Sequence, residues 1–179
     1  MPLEQPVLTV GHSNHEADRF IDLLHGQNVE ALVDVRRFPG SRRVPWTRSE
    51  ELDARLAASG IRYLHLEGLG GRRRPVEGSG NRGWRVRQFQ GYADHMRSDE
   101  FREGLAKLED QARIQQVAMM CAEAQWWRCH RRLIADALLL GGWRVLHLDA
   151  HGALHEHALT EFARVDRASL TYPDPAASE

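Results

Sequence analysis

The sequence predicts an α/β fold: a single three-layer domain in which a mostly parallel five-stranded sheet carries helices on both faces. Two observations predict it. Short runs rich in β-branched residues alternate with segments whose apolar residues recur at helical spacing, the pattern of parallel strands joined by crossover helices. The 179 residues, 42% hydrophobic and 27% charged, suit one globular domain able to bury its own core. No repeat or linker divides the chain, so residues 1–170 are expected as one domain and residues 171–179, TYPDPAASE, as a frayed tail.

Each element has a local reason. PVLTVGHS is a first strand closing at Gly11. HEADRFIDLLHGQN places Phe20, Leu23 and Leu24 on one helical face, with Asn14 as the expected cap. VEALVDVRRFPG is a second strand that runs into Pro39 and Gly40. TRSEELDARLAASG is a second helix, capped by Thr47 or Ser49 and stopped at Gly60. IRYLHLEGLGG is a third strand ending in a glycine-rich loop. From Val86 to Arg113, Phe89, Tyr92, Met96, Phe101, Leu105 and Leu108 recur at helical spacing, as one long helix or two. QVAMMCAE is a fourth strand, CHRRLIADALLLGG the helix after it, and WRVLHLDA a fifth strand. HGALHEHALTEF follows as a turn with a short strand or helix.

The bulk chemistry sets limits. A net charge of −1 gives no global positive field of the kind that marks a nucleic-acid binder. No apolar run approaches the roughly 18 residues of a membrane span, and the start shows no secretory signal. With only two cysteines, free thiols in a reducing cytoplasm are expected rather than a disulfide framework. No nucleotide-cofactor motif is visible.

Ligands of such sheets bind beyond the carboxyl ends of the strands. If the strands are parallel, the turns after them bring one rim together: His12 and Ser13; Asp34, Arg36, Ser41 and Arg42; Gly70 and Gly71; Cys121, Glu123, Cys129, His130 and Arg131; and the late histidines His147 and His151. All basic residues but Lys107 are arginine, and 14 of the 23 arginines fall in segments 36–48, 72–87 and 128–132, so the rim should be positively polarised. Arginine grips phosphates and carboxylates with a two-pronged fork. Trp46, Trp84, Trp126 and Trp127 lie among these arginines, an arrangement suited either to stacking on bases or to anchoring long loops.

The stretch MMCAEAQWWRCHRRLIADALL holds both thiols. Cys121 ends an apolar strand and reads equally as a small buried hydrophobe. Cys129 stands at a helix start among Arg128, His130, Arg131 and Arg132, where a thiolate is stabilised. With Glu123 and with His130 or His12, the thiols could make a nucleophile and base. Cys121, Cys129 and His12 could instead hold zinc or iron, although their spacing matches no standard zinc motif. His147, His151, His155 and His157 look like a metal cluster, but alternation along a half-exposed strand explains them as well.

The ordered motifs TVGHSN, LVDVRRFPGSRR, YLHLEGLGG, YADHM and MCAE…CHRRLIA, from about Leu8 to His157, resemble the bacterial and archaeal domain-of-unknown-function 488 family. The resemblance implies a compact α/β domain and no particular reaction. It carries over His12, Ser13, Asp34, Arg36, Pro39, Ser41, Leu69 to Gly71, Cys121, Glu123, Cys129, His130 and Arg131 as motif positions.

The expected function is an enzyme with a Cys/His/Glu centre acting on an anionic, phosphate-bearing substrate, a nucleotide or nucleic acid. Cys121, Glu123, Cys129, His130 and His12 would do the chemistry. Ser13, Asp34, Arg36, Ser41, Arg42, Gly70, Gly71 and Arg131 would hold the substrate. The alternatives are a non-catalytic nucleic-acid-binding module and a Cys/His metal-binding protein.

Overall fold

The computed structural model describes residues 5–178. The strands are β1 (Val7–Gly11), β2 (Ala31–Asp34), β3 (Arg62–His65), β4 (Val117–Cys121), β5 (Val145–Leu148), β6 (Leu154–Glu156), β7 (Arg164–Asp166) and β8 (Ser169–Thr171). The helices are α1 (Ala17–Gly26), α2 (Ser49–Ala58), α3 (Arg87–His95), α4 (Asp99–Ile114) and α5 (Arg131–Leu140). The main sheet has six strands in the order β3-β2-β4-β1-β5-β6, and β7 pairs with β8 separately. The expected five strands are mutually parallel, and β6 adds an antiparallel edge.

Side-chain alternation along the strands divides the core. Val33, Val117, Met119 and Cys121 join Tyr92, Phe101, Leu133 and Ile134 in one cluster. Leu32, Ala118 and Met120 join Phe20, Leu24, Leu52 and Leu56 in the other. Period-two alternation therefore turns Cys121 toward α5 rather than toward α1. Both faces being covered explains why β1, β2, β4 and β5 are buried along their whole length.

Strand order reverses between β1 and β4. From β1 the chain crosses to β2 on one side; from β4 it crosses over β1 to β5 on the other. The crevice lies where these connections part, at the register pair Gly11 and Cys121.

Three local expectations are corrected. Asn14 does not cap α1, which starts later behind Glu16, because the turn first extends the ladder: His12 and Ser13 donate backbone N–H groups to the carbonyls of Cys121 and Ala122. Neither Thr47 nor Ser49 caps α2; Thr47 closes a 3-10 turn by donating to Val44, and Ser49 is the first helical residue. The tail is not frayed from residue 171. Thr171 lies in β8, and Tyr172 is fully buried, donating its hydroxyl to Asp136. The segment from Val86 to Arg113 is two helices, α4 opening on Ser98, which accepts from Phe101 N at 3.1 Å.

Candidate functional site

A cleft of about 470 Å³ opens at the crevice. Its lining includes His12, Arg36, Ser41, Gly71, Cys121, Glu123, Cys129 and His130, eight of the residues singled out in the sequence. Parallel strand polarity is what gathers them: each lies on or after the carboxyl end of a strand.

The two thiols meet because the loop after β4 folds back on β1. A β-carbon on Gly11 would sit 2.0 Å from the Glu123 carbonyl oxygen, so only glycine admits that loop. The same carbonyl accepts from Cys121 Sγ at 3.9 Å and from Arg131 Nη2. Cys129 then stands just ahead of α5, where the Arg131 backbone N–H points at its sulfur from 3.5 Å. His130 Nδ1 lies 3.6 Å from the same sulfur, and His130 Nε2 donates to the Val35 carbonyl at 2.7 Å, which fixes the ring. Gly71 backs that ring: a β-carbon there would come within 2.9 Å of Nδ1.

The sulfurs are chemically unlike. Burial pushes Cys121 well above the ordinary thiol range, and its hydrogen bond with Cys129 and that neighbour's charge add to the effect. Burial opposes ionisation of Cys129 too, but the hydrogen bond from Cys121, the charges of His130 and Arg131 and the helix terminus outweigh it, holding Cys129 well below that range. The pair is a thiolate beside a thiol.

Arg131 was expected to hold substrate; it lies beneath the cleft instead. It is almost completely buried, and among the described residues it forms no ion pair with a carboxylate, while its Nε has no partner. Its guanidinium donates to Thr9 Oγ1 at 3.3 Å and to the Glu123 carbonyl, and its charge acts on both sulfurs. A buried guanidinium needs a counter-charge, and the Cys129 thiolate supplies one.

Behind Thr9 runs a buried chain. Thr9 Oγ1 is 2.7 Å from His147 Nδ1, His147 Nε2 is 3.0 Å from His157 Nδ1, and His157 Nε2 is 2.8 Å from Asp136 Oδ1. Tyr172 and the Thr160 backbone also donate to Asp136. Burial, helped by the charges of His157 and Arg131, lowers His147 to about 2, so its ring is neutral. Trp126 stacks on it at 4.0 Å. The late histidines thus divide: His147 and His157 are buried polar links, while His151 and His155 are exposed.

Other expected contacts are absent from the cleft. Asp34 is fully buried and takes a forked pair from Arg36, at 2.9 and 2.7 Å, plus the Tyr63 hydroxyl at 2.7 Å. Arg36 is therefore committed to Asp34 and to the Thr47 carbonyl, leaving Nη1 toward His12 Nε2 at 3.4 Å. Ser13, in the left-handed region with φ 47°, turns its hydroxyl to Asn14. Arg42 faces a separate surface hollow with Ser41 and Glu51. Gly70 packs on the Arg37 backbone, where a β-carbon would come within 2.5 Å. Ser41 lines the cleft but its hydroxyl accepts from the N–H groups of Arg43 and Val44.

The zinc or iron set is not assembled. His12 donates Nδ1–H to the Ser13 carbonyl at 2.8 Å, and its Nε2 faces Arg36, so no lone pair of His12 is aimed at the sulfurs. Burial, with Arg36 alongside, lowers His12 to about 4. Among the described residues no group of three or more His, Cys, Asp or Glu side chains is placed to hold a metal ion.

Residues that the sequence reading passed over complete the walls. Arg37, Arg72 and Arg128 line the cleft, and among the described residues none forms a salt bridge. Phe38, Phe89 and Tyr92 supply apolar surface. The three arginines stood in the clusters already noted; Phe38, 61% exposed, gave no signal beyond its place before Pro39. The tryptophans do not form a stacking platform: Trp84 is buried against Phe89, Phe162 and Tyr172, and Trp46 against Phe20 and His12. Only Trp127 of the four is open, at 48%.

No helix among the described residues is long and apolar enough to cross a membrane. A family model described as Domain of unknown function DUF488 matches residues 16–138, most of the chain. The match takes in both thiols, His130 and Arg131, and leaves outside it His12 and the two buried histidines of the chain behind Thr9. No curated protein and no solved structure matches the chain.

Proposed function

The chain belongs to the family described as Domain of unknown function DUF488, a membership that brings no reaction with it, and from that premise we propose a thiol enzyme acting on a small anionic substrate. Cys129 is the nucleophile, and the substrate's anionic group is held by Arg37, Arg72 and Arg128. The single observation that carries this reading is the pairing, in one cleft, of a thiolate at a helix start with arginines that have no carboxylate partners among the described residues.

The chemistry follows from the contacts. Nε2–H of His130 is committed to Val35, so Nδ1 takes the Cys129 proton and gives it later to the leaving group. Arg131 acts from below as the thiolate's counter-ion. Glu123 contributes through its carbonyl oxygen, while its carboxylate accepts from the Gln125 N–H at 3.1 Å and shapes the loop. Arg37 donates to the Arg72 carbonyl and Arg128 to Gln125, neutral acceptors that an anion can replace. Guanidinium groups grip phosphate or carboxylate, so the phosphate-bearing ligand anticipated from the sequence stays within this proposal. The cleft volume suits a small molecule. A reducing cytoplasm fits an enzyme that works through free thiols.

The test compares two alkylating reagents of similar size, anionic iodoacetate and neutral iodoacetamide. Cys129 should favour iodoacetate relative to a free thiol in solution, and neutralising Arg37 and Arg128 together as Arg37→Gln and Arg128→Gln should erase the preference. A Cys129 that favours iodoacetamide as strongly as a free thiol does would count against an anion cleft.

A second reading, a nucleic-acid-binding module, draws on one adjoining hollow lined by Arg85, Arg132 and the open Trp127, which shares Gln88, Phe89 and Arg128 with the cleft. Retention on single-stranded nucleic acid that falls steeply with salt would favour it.

A further inference from the structure

Nucleophilic attack by Cys129 uses one sulfur, yet the fold brings two together. Cys121 Sγ donates to the Glu123 carbonyl, which also accepts from Arg131 Nη2, while the Arg131 backbone N–H points at Cys129 Sγ, and both cysteines line the same cleft. They are the only cysteines in the chain, and both are free. A substrate attacked by a lone thiolate gives Cys121 nothing to do. A thiol beside a thiolate in one cleft is the arrangement that resolves a mixed disulfide. The arginines limit what can arrive: Arg37, Arg72 and Arg128 favour an anion, and about 470 Å³ admits a small one.

We infer that Cys121 and Cys129 form a redox dithiol that exchanges with a small, carboxylate-bearing disulfide, reducing it to two thiols while the protein closes an internal disulfide. This rests on the reading of Cys129 as nucleophile and names the substrate class. Cys129 Sγ attacks one sulfur of the substrate; a bond between them forms and the substrate's S–S bond breaks. The departing thiolate takes the proton held on His130 and leaves as the first thiol. Cys121 then gives up its proton and its Sγ attacks Cys129 Sγ. The internal S–S bond forms, the bond from Cys129 to the substrate sulfur breaks, and the second thiolate leaves with the Cys121 proton. Two electrons pass from the dithiol to the disulfide. Arg131, beneath both sulfurs, offsets charge on whichever one is ionised.

The experiment treats reduced full-length protein at low salt with glutathione disulfide, which is anionic, or cystamine, which is cationic, and follows intact mass and released thiol. Expected is a protein lighter by two hydrogens with no adduct, one disulfide consumed per chain, and a Cys121–Cys129 link on peptide mapping. Glutathione disulfide should react on the order of tenfold faster or more than cystamine, and molar salt should collapse the difference. Cys121→Ser should trap glutathione on Cys129; the mapping of unmodified protein needs no variant, so a poorly folded substitution does not blunt the test. A stable mixed disulfide on the unmodified chain, equal or faster reaction with cystamine, or no reaction with either would overturn the proposal. If iodoacetate still singles out Cys129 in that event, the nucleophile stands and only the exchange falls. If Cys129 is inert to every reagent, both fall.

Discussion

Arg131 donates through Nη1 to Thr9 Oγ1 at 3.3 Å, and that contact joins the thiol centre to a carboxylate buried on the far side of α5. Beyond Thr9 the line of contacts runs through His147 and His157 to Asp136, at 2.7, 3.0 and 2.8 Å. The guanidinium thus has two counter-charges, the neighbouring Cys129 thiolate and Asp136 at the end of that line. The two can be separated by substitution.

Asp136→Asn removes the remote charge and leaves the thiols untouched. The folded state should lose roughly 2–4 kcal/mol, the scale of breaking a buried charge pair, seen as a lower midpoint in denaturant. Cys129 should stay as reactive at acidic pH as before, because the field of Arg131 on it is less compensated. A rise in the pH needed for Cys129 alkylation would contradict this division.

Arg131→Met takes away the contact counter-ion. The pH midpoint of Cys129 alkylation should move up by a unit or more, since His130 and the helix start then stabilise the thiolate alone. An unchanged midpoint would assign the acidity to those two groups.

Gly71→Ala tests the wall behind His130. Its β-carbon would fall 2.9 Å from Nδ1, so the ring must shift from the Cys129 sulfur or off the Val35 carbonyl. Alkylation of Cys129 at mildly acidic pH should slow several-fold, with the circular dichroism of the fold retained. Unaltered kinetics would mean that the imidazole does not support the thiolate.

Acid should weaken the fold through His12 and His147. Each is held neutral by burial, so the unfolded chain binds more protons below pH 6.5, and stability falls as pH drops from 6.5 toward about 4 for His12 and about 2 for His147. Each contributes a slope of about 1.4 kcal/mol per pH unit at most. Denaturant midpoints measured from pH 7 to pH 4 should decline, and His147→Gln should flatten the decline.

The fold was legible because its signals are local. The short apolar runs ALVD and VAMMC and the helical spacing around Phe101 and Leu108 mark their elements without any knowledge of partners. Strand polarity then brought Cys121, Cys129, His130 and His12 to one cleft. What each charged residue would touch was not legible. Nothing in VDVRR says that Arg36 folds back on Asp34 two residues away, or that Arg131 points inward to Thr9, 122 positions earlier. Those choices follow from three-dimensional burial, which makes an arginine find a partner inside before it can offer itself to a ligand. Arg37, Arg72 and Arg128 form no salt bridge among the described residues because they lie outside the strands, half-buried or exposed. Tyr172 was misjudged for a related reason: a tail rich in proline and alanine hides one aromatic whose hydroxyl Asp136 requires.

The most direct measurement is the pH dependence of alkylation at each cysteine, resolved by peptide mass after brief exposure to iodoacetamide between pH 4 and pH 10. Cys129 should be labelled well below the ordinary thiol range and Cys121 only in strongly alkaline solution or after unfolding. Equal labelling of the two, with a common midpoint near that of a free thiol, would contradict a thiolate paired with a thiol at the floor of the cleft.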